Sequence, residues 1–367
     1  VSARSPDEEK GLNKYPKSVE AVINRSRAFY RAAGPGHFLI SAVVPAETPD
    51  VPPLRDFGLD HQLTEWLDLK LAAARAVWRA KADLADDTIP SICPSFGICE
   101  HSAWLGLDAV LQTDTCLAVP SLKSLQDLDG WRLSRRTKWF QYMKKGYDYL
   151  RSKKDGTFVL SVRGTMTPMD LANAWRGDEL FLDFLLRHEF VHRLMKFLVT
   201  AIPWYYRQLS SWADDIGGGR VFYFGGGWMD ANVIGHLSND AAMLCSPEVY
   251  EEFGFPYEAK LAEKYDGVFY HVHNEKLHFV PRVSQLQGMK LLEVSNDPQA
   301  PGALDDLGRI FAATGSANLM LRGTADEVRA SINRLKERNV FLQVSCRDRT
   351  EARDIIAFVR DRSRPLG

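Results

Sequence analysis

The sequence predicts an α/β protein, a (β/α)8 TIM barrel with an N-terminal helical extension and a Gly-rich insertion. Three observations carry that expectation. The strand candidates are short continuous apolar runs, as expected of strands buried on both faces. Helical patterns fill the gaps between them, at roughly 20–30 residues per repeat in the C-terminal half, and such alternation produces parallel sheets. Polar and ionisable residues gather just past the strand ends, where barrel enzymes carry their sites. A doubly wound open sheet would read the same way. It is disfavoured because no Gly-x-Gly-x-x-Gly follows the first strand and no Walker lysine motif occurs.

In chain order, the strand candidates begin with Leu39–Val44 and Thr88–Cys93, where Pro90 is tolerable only near the start. Ala109–Thr113 and Cys116–Val119 count together as one. Phe158–Val162, Asn232–Leu237, Gly267–Val272, Lys290–Val294, Asn318–Leu321 and Val340–Val344 follow, giving nine candidates for eight places. Leu63–Ala82 reads as an Ala-rich helix with Trp66, Leu67, Leu71, Ala74 and Trp78 along one side. Phe181–Tyr205 reads as one long apolar helix. Ser246 is an N-cap with Pro247 at the first helical position. Thr324 and Glu327 form a capping box, and Asn339 is a left-handed stop for the helix they open. Thr350 begins the last helix. The organisation expected is a single domain over 1–367, with an extension over 1–36. Residues 208–231 are a Gly-rich hairpin insertion, or a lid that brings Trp228 and Asp230 to the site.

Composition narrows the function. The chain has 367 residues, 45% hydrophobic and 25% charged, with a formal net charge of −1, so no global field favours nucleic acid or an anionic membrane. The cluster Arg132, Arg135, Arg136, Lys138, Lys144 and Lys145 reads as a solvated face. No apolar run reaches the ~18–20 residues of a spanning helix, and Val1–Lys17 lacks the apolar stretch of a secretory signal. Five scattered cysteines make a poor disulfide framework, so a reducing cytoplasm is expected, with Cys93 and Cys99 as reduced thiols.

The strand ends supply the candidate site. His271 and His273, two apart on one strand, point to the same face, and Cys346 follows the last strand. Two imidazoles and a thiolate with one open position suit a catalytic zinc. A hydrogen-bonded polar pair with no metal is the other reading. Asp240 and Asp297 are candidate carboxylates for acid/base or ligand work, or else helix caps. Arg163 and Arg322 could clamp an anion, or serve as structural ion-pair partners. Asn274, Asn296 and Trp228 complete the expected substrate-binding set.

The run His236-Leu-Ser-Asn-Asp240, then Ser246-Pro-Glu-Val-Tyr-Glu-Glu-Phe253, then Pro256-Tyr257, resembles the uroporphyrinogen decarboxylase superfamily. Arg163-Gly-Thr-Met-Thr-Pro-Met-Asp170 through Arg176–Asp183 is similar to its strand end and following helix, and the strand with His271 looks like its His-containing strand. The resemblance runs from about Pro90 to Phe358. True porphyrinogen decarboxylases carry an Arg-Gln-Ala-Gly-Arg loop where this chain has Val43-Val-Pro-Ala-Glu-Thr-Pro49. The resemblance therefore implies the other branch, the zinc-dependent methyltransferases that move a methyl group between a corrinoid protein and an acceptor. Those have His-x-Cys on one strand and a Cys after the last; here His271-x-His273 and Cys346 stand in the matching places. On that reading zinc activates the acceptor, a separate corrinoid protein docks over the mouth, and Asp240 and Glu100 orient groups around the acceptor. The alternatives are a metal-free decarboxylase or other lyase acting on a small or aromatic acid, and a non-catalytic ligand-binding barrel.

Overall fold

A computed structural model describes residues 19–113, 115–225 and 227–366. Its strands are β1 (Phe38–Val43), β2 (Ser91–Ile92), β3 (Ala109–Leu111), β4 (Cys116–Ala118), β5 (Val159–Leu160), β6 (Thr165–Met166), β7 (Gly219–Val221), β8 (Trp228–Asp230), β9 (Val233–Ser238), β10 (Gly267–His273), β11 (Met289–Ser295), β12 (Leu319–Thr324) and β13 (Val340–Ser345). Seven of them form one parallel sheet in the order β1-β13-β12-β11-β10-β9-β6. The fold is therefore α/β, and the first and last long strands are neighbours, in register from Phe38↔Val340 to Val43↔Ser345.

Hydrogen bonds do not close this sheet into a ring. β2 and β5 make a separate parallel pair. The free edge of β1 is met by carboxylates: Ile40 N–H donates to Asp87 Oδ2 (2.9 Å) and Ala42 N–H to Asp86 Oδ2 (3.2 Å). Asp87 N–H returns a bond to the Ile40 carbonyl (2.7 Å). The ninth strand candidate is resolved by β3 and β4, which pair with each other as an antiparallel hairpin outside the main sheet.

The C-terminal elements follow the predicted pattern. Thr324 and Glu327 form the capping box, and Ser246 accepts from Val249 N–H with Pro247 behind it. Asn339 is not a left-handed stop, since no non-glycine residue among those described has positive φ. Its amide oxygen instead accepts from His37 N–H (3.1 Å). The long helix expected over 181–205 is two, Glu179–Leu186 and His188–Trp212, broken at Arg187 (φ −139°, ψ 50°). Both halves carry the same apolar stripe, so periodicity could not reveal the break.

Of the N-terminal extension, residues 1–18 lie outside the described residues; the rest holds helix Val19–Arg31. Its Val19, Val22 and Ile23 pack with Ile89, Val159, Val221 and Trp228 in a small second core. This corrects the expectation for Trp228. Its indole is fully buried there and donates to the Ile216 carbonyl (2.8 Å), so it belongs to the packing of hairpin β7–β8. The hairpin's tip is the part that enters the site.

Candidate metal centre

Strand parity builds the site. Side chains two apart share a face, so His271 and His273 of β10, Glu293 and Ser295 of β11, and Met320 and Arg322 of β12 project to the same side of the parallel sheet. His236 of β9 joins them. Glu293 is the hub, with no exposed surface. His236 Nε2 and His271 Nδ1 (2.9 Å) both contact its Oε2, and the Arg322 guanidinium pairs with its Oε1. Burial by itself would push this carboxyl up, but His236 and His271 hold it well below the usual carboxylate range. Burial first, then the neighbouring His271, lowers His236 to about 4. The pair is therefore a carboxylate receiving an N–H from a neutral imidazole.

That hydrogen bond decides the tautomer of His271. With its Nδ1 proton directed at Glu293, its Nε2 carries a lone pair. His271 Nε2 and His273 Nε2 are 3.2 Å apart. Asp297 Oδ1 stands 3.0 Å from His273 Nδ1, at an angle short of a hydrogen bond, and favours the proton there. Two facing lone pairs repel unless a cation or a proton lies between them. Two nitrogens bound to one tetrahedral ion at about 2.0–2.1 Å stand about 3.3 Å apart, so the observed separation fits a shared metal. Asp240 Oδ1, 3.5 Å from His273 Nε2, completes a two-His, one-carboxylate set whose ligand atoms lie within 4.8 Å of one another. A second set, His236, His271 and Glu293, is equally compact. There the nitrogens facing Glu293 are committed as donors and Arg322 opposes a further cation, so the Asp240 set is the better fit.

Cys346 is not part of it. Among the described residues no compact ligand set joins its sulfur to His271 and His273. Cys346 Sγ contacts the Val344 carbonyl (3.5 Å) and feels the charges of Glu351, Arg329, Lys81 and Asp348. Parity is the physical reason. On β13 Phe341 reaches the hairpin tip and Gln343 lines the same side, so Val344 and Cys346 turn the other way, toward the helices.

The other expected residues divide. Arg163 is buried, with Nε on Glu100 Oε1 (2.9 Å) and Nη2 on the Gly97 carbonyl (2.8 Å). Burial pushes Glu100 up while Arg163 opposes it, so Glu100 serves as the partner of Arg163, and among the described residues no imidazole is hydrogen-bonded to it. Asn274 and Asn296, expected to bind substrate, both make hydrogen bonds to neighbouring backbone. Asn274 accepts from Asp297 N–H (2.9 Å) and donates to the Pro301 carbonyl (2.6 Å). Asn296 accepts from Ala303 N–H (2.8 Å) and donates to the Arg322 carbonyl (3.3 Å). Asn274 holds the loop that carries Asp297, and Asn296 ties that loop to the backbone of β12 at Arg322.

Three participants escaped the sequence reading. Phe224, at the tip of hairpin β7–β8, stacks on His236 (ring centroids 4.0 Å) with the Arg163 guanidinium 4.9 Å from its ring. Glu293 carried a signal, an acidic residue inside the apolar run Lys290–Val294. Asp170 lies buried behind Asp240 and accepts from Ala241 N–H (2.8 Å) and Ser238 Oγ–H (3.1 Å). Burial and then the Asp240 charge push it up to about 7. Beside this pair opens a cavity of about 440 Å³ lined by Ile98, Leu117, Met166, Asp170, Asp240 and Leu244.

Cys99, expected as a free thiol, is disulfide-bonded to Cys116; Cys93 is free and buried. The expectation of a reducing compartment rested on unpaired cysteines and loses that support. Among the described residues no helix is long and apolar enough to cross a membrane.

No protein-family model matches the sequence, and no curated protein matches it. Among solved structures, the fold is similar to that of a methyltransferase from Methanosarcina mazei, with a TM-score of 0.59 and 14% identity, covering 93% of this chain and 98% of that one. At that identity the likeness is one of fold.

Proposed function

We propose that the chain is a metal-dependent, methyltransferase-like enzyme built as a single (β/α)8 barrel, with the β2–β5 pair completing the wall between β1 and β6. The observation that carries the reading is the pair of imidazole Nε2 atoms 3.2 Å apart, backed by Glu293 and Asp297 and fronted by Asp240. The fold likeness to a methyltransferase supports the reaction class.

His271, His273 and Asp240 would hold the ion, with zinc the first choice and another borderline divalent metal compatible with nitrogen and oxygen donors. When bound, it would supply Lewis acidity that lowers the pKa of an acceptor group on a small-molecule substrate. The chain's own residues do the rest. Glu293 fixes the His271 tautomer, the charge of Asp297 favours a proton on His273 Nδ1, Arg322 balances the buried charge of Glu293, and the Phe224 tip closes the inner end of the site. Asp170 can hold a proton near neutrality beside the cavity at Asp240. The methyl source is proposed to be a corrinoid on a partner protein. A lyase that grips its acid with free arginines is less well supported, because Arg163 and Arg322 both pair with buried carboxylates.

Metal analysis of the purified protein tests the reading. One equivalent of metal is expected in the parent and in Cys346→Ala, with loss in His273→Ala and Asp240→Ala. A parent without stoichiometric metal removes the mechanism. Demethylation of a methylcorrinoid protein, followed by its visible spectrum, then tests the partner.

A further inference from the structure

Where β1 and β2 fail to pair, the molecule has a second cavity that the metal-centre reading does not use. Because Asp86 and Asp87 take the N–H groups along the β1 edge, the two strands splay instead of laddering. The gap is covered by helix Leu59–Ala80. Its Leu67, Lys70, Ala74 and Val77 fall at i, i+3, i+7 and i+10, one stripe of the helix surface, and all four line a cavity of about 240 Å³. Ile92 and Tyr223 form the opposite wall. A neighbouring cavity of about 240 Å³ shares Val77, Ser91 and Tyr223 with it, so the space continues along the seam.

One unpaired charge stands in this largely apolar slot, since Lys81, which lines the neighbouring cavity, is paired with Asp86 (2.6 Å). The Lys70 ammonium is mostly withdrawn from water, which lowers its affinity for a proton, and no carboxylate among the described residues pairs with it. Its contact of known geometry is the Trp66 ring, 5.2 Å away. Glu100, the acidic residue whose field it feels, is already bound to Arg163. A half-buried cation without a counter-ion is costly and is relieved by an anion. Apolar walls around one such cation select a ligand with one negative end and an apolar body.

We propose that this seam is a binding site for a small monocarboxylate with an aromatic or short aliphatic body, its carboxylate on Lys70 and its body between β2, Tyr223 and helix Leu59–Ala80. The wall residue Tyr223 links the site to the centre. It carries Arg163 on its ring at 4.9 Å and precedes Phe224, which stacks on His236. The site is separate from the metal ligands, so it stands whether or not a metal is held there.

Calorimetric titration of the full chain with benzoate and with hexanoate, each against its neutral amide, tests the proposal. Saturable one-to-one binding with a Kd of about 1 mM or tighter is expected for at least one acid. Its amide should bind at least about tenfold more weakly, the equivalent of one lost charge-assisted bond. Lys70→Met and Lys70→Gln should erase the acid-over-amide preference, and Ala74→Phe should abolish binding of both. Failure of both acids to saturate overturns the site, as does equal binding of acid and amide by the parent. Because the acid-to-amide ratio is read on the parent, a variant that fails to fold does not rescue the idea.

Discussion

Glu293 shows how much one buried carboxylate can organise. It receives two imidazoles and a guanidinium, so its removal leaves the buried His236 and His271 rings without their acceptor and the partly exposed Arg322 without its ion-pair partner. Leaving two buried N–H groups without an acceptor costs about 1–3 kcal/mol each, and Glu293→Ala should lose about 2–5 kcal/mol in urea unfolding of metal-free protein. Asp297 is different, because it touches one nitrogen of His273 near the surface. Asp297→Asn should fold normally and weaken metal affinity by about 10–100-fold, the usual loss when a carboxylate behind a ligand histidine is removed. A competition titration with a chelator reads it. Of this centre, His271, His273, Asp240 and Asp297 were legible in the sequence because all four lie at strand ends. Glu293 was not, because a mid-strand acid becomes meaningful only when two histidines and an arginine from other strands are seen to surround it.

Elements supply two further tests. Hairpin β7–β8 sends its tip against the sheet, and its glycines are there for space. A Cβ on Gly225, which has φ +73°, would lie 2.5 Å from Met320 Cε, and one on Gly227 would lie 2.7 Å from Phe341 Cε1. Met320 Cε can swing aside, so the backbone carries the cost, and Gly225→Ala should destabilise by about 1–2 kcal/mol in chemical denaturation. A result within ~0.5 kcal/mol of the parent would mean that residue 225 does not hold this positive φ. At the end of β9, Glu258 accepts from Asn239 Nδ2–H (2.7 Å), Tyr250 O–H (2.8 Å) and Tyr270 O–H (2.9 Å). Burial pushes it from an ordinary 4.5 up to about 7. Between those two values the folded chain keeps a proton that the unfolded chain has lost, so this group's contribution to stability falls as pH rises through the window and is level above it. Against the parent, Glu258→Gln should gain relative stability from pH 4.5 to 7, with a slope of up to about 1.4 kcal/mol per pH unit. A stability difference that is flat with pH would place the carboxyl's pKa outside that window.

For the molecule as a whole, closure is the question that matters. Seven strands are joined by ladders, and closure into the proposed barrel would depend on the β2–β5 pair, the Asp86 and Asp87 carboxylates and the covering helix. This weak seam is also where the ligand proposal sits. On the mouth side, the Cys99–Cys116 disulfide spans 17 residues and ties hairpin β3–β4 to the segment that holds Glu100. Closing a loop of that length is worth about 3 kcal/mol in the chain-entropy account. Reductant should lower the parent's denaturation midpoint accordingly and leave a Cys99→Ser, Cys116→Ser double variant unmoved.

Local chemistry explains which expectations succeeded. The long strands β9 to β13, the Thr324 capping box and the Ser246 cap were readable because each is set by residues within about one helical turn or one strand of each other. The side taken by Cys346 was not readable, because the chain leaves β13 within a residue of it, and only pairing with β1 fixes the register that turns the sulfur toward the helices. The same holds for the disulfide and for Trp228, whose partners are distant in the chain. Periodicity reports which face of an element is apolar; which other element covers that face depends on long-range packing.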